Sequence, residues 1–175
     1  MAMNAVIKKV VAFIMVATRL GKSKLSVSLA PRTGGEIINS NKIQVYRGLD
    51  ALGNKIPKVE KLGVPHHLLG HVGNPDEEYT AREFGFDATS VIEQIINSGK
   101  VPIVRGGSNS FIETLVKDPD FKFKSNYLGC FIWLDVSPNV FNTFVSKQVN
   151  QMVNQGLAEE VRGIFALDKD YTKGI

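Results

Sequence analysis

The 175-residue sequence lacks most of the features that mark a special class of protein. It has one cysteine, Cys130, so no disulfide bond and no cysteine-built zinc site can form within the chain. Its longest apolar run, residues 10–17, falls far short of the roughly 20 residues that a membrane-spanning helix needs. Positive charges exceed negative ones by only four, which suits small anionic ligands at least as well as nucleic acid. We therefore expect neither a membrane nor a nucleic-acid partner.

The sequence carries little information about the cellular compartment. Lys8 and Lys9 precede the apolar run and give it the outline of a secretory signal, although the residues that follow favour a buried strand instead. No Arg- and Ser-rich extension of the transit-peptide type precedes the run. The lone cysteine is compatible with a reducing compartment, so cytoplasm and plastid both stay open.

Strand-like apolar runs alternate with helical patterns along the chain. The predicted strands cover residues 9–15, 36–39, 101–104 and 130–136, and the predicted helices cover residues 24–30, 80–98, 111–116 and 138–154. We expect Pro31 to end the first helix, and Thr80 with Glu83 to form a capping box. Such alternation is typical of an α/β fold with a parallel sheet, and it predicts one three-layer α/β/α domain over residues 1–175.

Three further segments carry structural expectations. In the last helix six apolar residues recur on one stripe and should pack in the core: Phe141, Phe144, Val145, Val149, Met152 and Val153. Residues 117–124 mix acidic and basic side chains and should form a solvated loop. His66 and His67 are adjacent in an extended segment, so they point to opposite faces and should be structural rather than metal ligands.

Between the first strand and the first helix stands VATRLGKS, residues 16–23. It matches the phosphate-loop pattern G-x-x-x-x-G-K-[ST] except at the first position, where Val16 replaces glycine. In such a loop backbone N–H groups face the phosphates, a lysine reaches the outer phosphate, and the following hydroxyl ligates Mg²⁺. The sequence thus predicts a P-loop NTPase-like fold. The candidate diphosphate-binding residues are Ala17, Thr18, Gly21, Lys22 and Ser23, with Ser23 as the metal ligand.

Four motifs follow the loop in order: EIINSNKIQVY at residues 36–46, GVPHHLLG at 63–70, EYTAREF at 78–84 and GGSNSFI at 106–112. Together they resemble the plant adenylate isopentenyltransferases, which start cytokinin synthesis. The resemblance implies transfer of the dimethylallyl group of dimethylallyl diphosphate to N6 of ATP, ADP or AMP, with Mg²⁺, by a monomer. A nucleoside or small-molecule kinase would share the loop but would not account for GVPHHLLG or GGSNSFI.

The resemblance also implies residue roles. Thr18 would donate a hydrogen bond to the departing bridging oxygen, and Lys22 would stabilise the leaving diphosphate. Asn41 stands where the family has an aspartate base, and Gln148 stands where it has an arginine. Gln44, Ser108 and Asn109 correspond to substrate-binding positions, and Arg105 replaces a small residue before GGSN.

These departures predict impaired catalysis. An amide such as that of Asn41 cannot take a proton near neutral pH, and loss of a general base typically costs about 10²–10⁴ in rate. Val16 and Gln148 should weaken diphosphate binding as well. Two hypotheses therefore stand: a transferase with at least residual activity, and an inert paralogue that retains only phosphate or nucleotide binding. Since the family's chains continue past the position of Ile175, we also expect this one to lack the family's C-terminal portion.

Overall fold

The computed structural model describes residues 8–16, 22–134 and 138–165. Its strands are β1 (Lys9–Val16), β2 (Gly35–Asn39), β3 (His66–His67), β4 (Val101–Gly106) and β5 (Tyr127–Leu134). Its helices are α1 (Lys22–Thr33), α2 (Ala81–Asn97), α3 (Asn109–Lys117), α4 (Phe123–Asn126), α5 (Pro138–Asn154) and α6 (Leu157–Ile164). Three short 3-10 turns cover Ile43–Val45, Lys58–Lys61 and Pro119–Phe121.

The strands form one sheet in the order β3-β2-β4-β1-β5, and every pairing is parallel. Strand β1 is central, pairing with β4 through Ala12↔Ile103 and with β5 through Lys9↔Tyr127. Residues 11–14 are buried, as a central parallel strand requires, whereas Val10 is 44% exposed. The predicted first strand and the parallel sheet are confirmed.

Two apolar cores lie on opposite faces of the sheet and make the architecture three-layered. On one face Val27 and Ala30 of α1 pack against Ile14 and Ile103. The other face buries the apolar sides of α2 and α3 against Val11, Phe13, Ile38 and Val104. Side chains alternate between faces along each strand, so consecutive residues such as Ile103 and Val104 belong to different cores.

Helix α2 begins as predicted. The Thr80 hydroxyl accepts from the backbone N–H of Glu83, and the Glu83 carboxylate accepts from the backbone N–H of Thr80, which completes the capping box. The helix ends before Gly99, whose φ of +77° is the left-handed conformation that glycine adopts easily.

Several boundaries differ from the prediction. Pro31 does not end α1, which continues to Thr33, whose hydroxyl donates to the carbonyls of Leu29 and Ala30. Strand β5 begins at Tyr127 because its register with β1 extends the pairing back to that residue. It is also an edge strand rather than a buried one: Phe131 is 52% and Trp133 is 63% exposed.

Two predicted surfaces were assigned wrongly. Residues 117–124 are not a solvated loop, because Phe121 and Phe123 are buried, while Asp118 and Asp120 pair with Arg82. The apolar stripe of α5 is not a core face either. Among its described side chains only Met152 is buried, since α5 lies outside both cores. None of the helices in the described ranges has both the length and the apolar character that crossing a membrane would require.

Candidate functional site at the carboxyl ends of the strands

The topology gathers three polar segments at the carboxyl edge of the sheet. Ser23 lies in the first turn of α1, which follows β1. Gln44 lies in the 3-10 turn after β2, and Arg105 is the penultimate residue of β4. Parallel strands bring their carboxyl ends to one edge, where open α/β sheets place their ligands. We call Ser23, Gln44 and Arg105 the strand-end cluster.

Arg105 joins the three residues of this cluster. Strand alternation places it on the α1 side of the sheet, beside Ile14 and Asn39 in the register. Its Nη1 donates to Ser23 Oγ at 2.9 Å and its Nη2 donates to Gln44 Oε1 at 2.8 Å. The Gln44 amide is fixed in turn, because its Nε2 donates to the carbonyl of Gly53 at 2.8 Å.

The guanidinium is a buried cation that has no carboxylate partner among the described residues. Arg105 is 3% exposed, and within the described residues its polar partners are neutral oxygens. Its Nε has no hydrogen-bond partner in the same part of the chain. Burial lowers the pKa of Arg105 to about 10, so the side chain stays charged at neutral pH. Burial also lowers the pKa of His66, and the positive charge of Arg105 lowers it further.

The segments after β2 and β4 are held together by backbone contacts. Ser40 N donates to the carbonyl of Arg105 at 2.8 Å, and Lys42 N donates to Ser108 Oγ at 2.9 Å. A Cβ on Gly106 would overlap Ser40, so only glycine permits this close approach. The GGSN segment therefore fixes the chain that carries Asn41.

Asn41 itself lies half-buried in this segment. Its Oδ1 accepts from Ile43 N at 3.1 Å, while its backbone carbonyl accepts from Gln44 N at 3.1 Å. These contacts start a 3-10 turn over residues 43–45, which includes Gln44. The role of Asn41 at the base position stays a prediction.

The other predicted site residues are only partly brought together. Ser108 caps α3 at the strand ends, and Asn109 begins that helix with an exposed side chain. Gln148 lies on α5, and no hydrogen bond within the described ranges joins it to the strand-end cluster. Lys22 is the first residue of α1. Ala17, Thr18 and Gly21 lie outside the described residues.

The predicted metal ligand is already engaged by a cation. A metal on Ser23 Oγ, with an oxygen–metal distance of about 2.1 Å, would lie no more than roughly 5 Å from the Arg105 nitrogen. Charges of +2 and +1 at about 5 Å repel by roughly 7 kcal/mol at an effective dielectric constant of 20. Among the described residues no group of three or more His, Cys, Asp or Glu could hold an ion instead. The cluster does not fit a divalent metal at Ser23.

The two adjacent histidines have separate partners. His67 Nε2 lies 2.6 Å from Glu36 Oε2, and Lys100 Nζ donates to Glu36 Oε1 at 2.5 Å. His66 Nδ1 instead contacts the carbonyl of Val64 at 2.8 Å. These contacts support the predicted structural role, since Glu36 is a 9% exposed carboxylate that needs partners.

One interaction had no signal in the sequence. The Glu160 carboxylate of α6 accepts from the backbone N–H groups of Asp50, Ala51 and Leu52 at 2.7–2.9 Å. It borders a cleft of about 530 Å³, whose lining includes Lys55. The contact joins residues about 110 positions apart, so no local pattern could predict it.

Comparison with known proteins identifies a family domain in the chain. Residues 44–127 match the family model described as IPP transferase. The chain is 50% identical to adenylate isopentenyltransferase 5, chloroplastic, of Arabidopsis thaliana over 170 residues, which are 96% of this chain and 51% of that protein. Residues 44–127 therefore carry an IPP transferase domain, in a chain that is 50% identical to this relative over the aligned residues. The predicted resemblance, made on four motifs, is confirmed.

Further relatives extend the comparison. Adenylate isopentenyltransferase 7, mitochondrial, of Arabidopsis thaliana is 49% identical, with 96% of this chain and 51% of that protein covered. A solved eukaryotic dimethylallyltransferase acting on tRNA is 27% identical and aligns with a TM-score of 0.79, over 90% of this chain and 56% of that one. The P-loop NTPase-like α/β fold is thereby confirmed. The chain spans about half the length of the curated relatives it matches.

These relatives also bear on cofactor and compartment. Prenyltransferases of this family commonly use a divalent metal. In this chain Arg105 contacts the Ser23 oxygen that the resemblance assigns to such a metal. The two Arabidopsis relatives are described as chloroplastic and mitochondrial respectively.

Proposed function

We propose that this chain carries the dimethylallyl-transfer site of an adenylate isopentenyltransferase. Its substrates would be dimethylallyl diphosphate and an adenine nucleotide, with N6 of the adenine as acceptor. The observation that carries the proposal is the buried cation at the carboxyl ends of β1, β2 and β4, beside the first turn of α1. Both the helix terminus and the guanidinium favour an anion at this edge.

Breaking the allylic C–O bond leaves negative charge on the diphosphate, and cations fixed beforehand stabilise that charge. Lys22 and Arg105 would supply them, with the backbone of Ala17 and Gly21 around the phosphates. Thr18 would donate to the bridging oxygen as it departs. Gln148 would also belong to the diphosphate-binding site, where its neutral side chain replaces the family's arginine.

Nucleophilic attack by N6 requires loss of a proton from the adenine amine. Asn41 would orient this amine through its amide but cannot accept the proton. Gln44, Ser108 and Asn109 would contribute to substrate binding from the same strand ends. Transfer in this chain should therefore be slow compared with its relatives. Mg²⁺ belongs to the proposal only as the usual counter-ion of diphosphate, and we assign it no step.

The second candidate is an inert paralogue that binds phosphate or nucleotide without transferring the prenyl group. Two observations favour it: the amide at position 41, and the guanidinium that engages Ser23. We further propose that the chain folds as one domain, is monomeric and works in a plastid. Light scattering after size exclusion would test the monomer.

The decisive assay incubates the purified chain with dimethylallyl diphosphate, ATP and Mg²⁺ and measures prenylated nucleotide by mass spectrometry. An Arabidopsis relative serves as the positive control and a boiled sample as the negative one. Slow but measurable product supports the transferase, and its rate should rise with enzyme concentration. Product no greater than that of the boiled sample would reject transfer and leave the binding paralogue.

A further inference from the structure

We propose that Arg105 takes the place of the divalent metal in this chain, so that its strand-end cluster binds a diphosphate group without any metal ion. The inference rests on the proposed diphosphate site and names its counter-ion. It concerns Arg105, Ser23 and Gln44, all of which the structure describes.

Position is the first support. Arg105 stands in β4, next to the central strand β1, and its guanidinium reaches Ser23 in the first turn of α1. The N–H groups of a helix's first turn lack partners within the helix and carry partial positive charge. A guanidinium at the same point adds a full charge in the position from which a metal on Ser23 would act.

Unused hydrogen-bonding capacity is the second support. A guanidinium has five N–H donors, and the described contacts of Arg105 are one through Nη1 and one through Nη2. Its Nε is buried with no partner among the described residues, although a buried donor without an acceptor is costly. The donors left over match a phosphate, which arginine binds through paired hydrogen bonds.

Charge balance is the third support. Both described partners of Arg105 are neutral side-chain oxygens, whereas a buried cation is normally paired with an anion. At the other end of the same strand pair, buried Glu36 has two basic partners, Lys100 and His67. Because the described residues supply Arg105 with no anion, the ligand that would balance it is an anion, and the adjoining helix terminus favours one of the phosphate type.

A direct consequence concerns divalent ions. Mg²⁺ bound to diphosphate would be repelled by the guanidinium, so the metal-free anion should be the ligand. Adding Mg²⁺ should leave diphosphate affinity unchanged or weaken it. A relative that uses the common metal-dependent arrangement should show the opposite response.

Titration calorimetry with inorganic pyrophosphate tests this on the full chain, once in EDTA and once in excess Mg²⁺. We expect binding in EDTA that Mg²⁺ does not strengthen. Arg105→Met should weaken binding in EDTA by at least about tenfold, since it removes charge-assisted hydrogen bonds. Arg105→Lys keeps the charge and should retain part of the affinity. Arg32→Met, an exposed arginine in the last turn of α1, is the matched control and should bind like the unaltered chain.

Three results would overturn the inference: a tenfold gain in affinity on adding Mg²⁺, undiminished binding by folded Arg105→Met, or no pyrophosphate binding in either buffer. Circular dichroism would establish that each variant is folded, and Arg105→Lys serves if Arg105→Met is not. The outcomes are distinct from those of the transfer assay. Metal-independent pyrophosphate binding without prenylated product would reject the proposed transfer and leave this inference standing, whereas Mg²⁺-strengthened binding with product would do the reverse.

Discussion

Strands β2 and β4 pair in parallel and have a buried charged residue near each end of the pairing. Among the described residues, only one of the two contacts groups of opposite charge. Near the amino ends Glu36 is 9% exposed, with His67 Nε2 at 2.6 Å and Lys100 Nζ at 2.5 Å. The hydrogen bond from Lys100 is the main cause that lowers the pKa of Glu36. At the carboxyl ends Arg105 is 3% exposed and its described partners are neutral.

The difference separates a structural charge from a functional one. Glu36 has partners from two neighbouring segments, so its charge is neutralised within the fold. Arg105 is desolvated with no anionic partner in the described ranges, and burial lowers its pKa. A folded chain tolerates such a group where it serves a ligand, and sites of that kind lie at the carboxyl edge of open sheets. Four substitutions test whether the two charges have these different roles.

The largest expected effect comes from introducing a carboxylate at position 41, near the carboxyl ends of the strands. Asn41→Asp restores a group that can take a proton, so we expect prenyl transfer to rise by about 10²-fold or more. It should remain below the rate of an Arabidopsis relative assayed in parallel, because Val16 and Gln148 are unchanged. The measurement is product formation by mass spectrometry, with Asn41→Ala as the control.

Full recovery by Asn41→Asp would show that Val16 and Gln148 do not impair diphosphate binding. A rate equal to that of Asn41→Ala would instead contradict the assignment of position 41 to the base.

Removing this buried cation should stabilise the protein in the absence of ligand. Burial of the guanidinium carries a desolvation cost, and replacing buried charged groups by apolar residues of similar volume often stabilises proteins by about 1–4 kcal/mol. We therefore expect Arg105→Met to raise the free energy of unfolding by about 2 kcal/mol in urea titrations at pH 7. Arg32→Met should change it by less than about 0.5 kcal/mol. A loss of stability in Arg105→Met would make Arg105 a structural residue like Glu36.

Substitution of Glu36, the buried charge with basic partners, should lower the free energy of unfolding, which is the opposite of the effect expected for Arg105→Met. Glu36→Gln should lower the free energy of unfolding by about 1–2 kcal/mol at pH 7, because Lys100 and His67 lose their anion. A carboxyl with a lowered pKa stabilises the fold above its unfolded pKa, and this contribution disappears as pH falls through the folded value. The difference from the unaltered chain should therefore shrink below pH 4.5. A constant difference down to acid pH would refute the charge-pairing interpretation.

The smallest expected effect concerns Glu160, whose carboxylate accepts hydrogen bonds from backbone N–H groups. Glu160→Gln weakens the acceptor for the N–H groups of Asp50, Ala51 and Leu52, and should cost about 1 kcal/mol. Amide hydrogen exchange should accelerate at those three residues. Glu159→Gln, whose side chain is 71% exposed, is the control and should leave the exchange unchanged. Unaltered exchange in Glu160→Gln would mean that the carboxylate does not protect the loop.

Elements with a local cause could be predicted from the sequence. The apolar run of β1 and the capping box of α2 depend on consecutive residues or on residues three positions apart, and both are confirmed. The stripe of α5 misled, because an apolar face predicts burial but not which surface covers it. Residues 117–124 misled similarly, since their charges hid two buried phenylalanines.

The candidate site likewise has one part that the sequence predicts and another that it does not. The sequence placed Ser23, Gln44, Asn41 and the GGSN segment near one ligand, through motifs and their order. It also marked Arg105 as unusual for its position. It did not reveal that Arg105 contacts Ser23, 82 positions away, because that contact depends on the register of β4 with β1 and on the alternation of strand faces.

The family motifs, the alternating α/β pattern and the groups available for chemistry could all be predicted from the sequence, since they depend on residue types and local spacing. The packing of the sheet determined which charges meet. It joined Glu36 to two cations at one end of a strand pair and buried Arg105 among neutral oxygens at the other. The physical reason is that desolvation and pairing arise between residues far apart in the chain, and these contacts exist only once the sheet has formed.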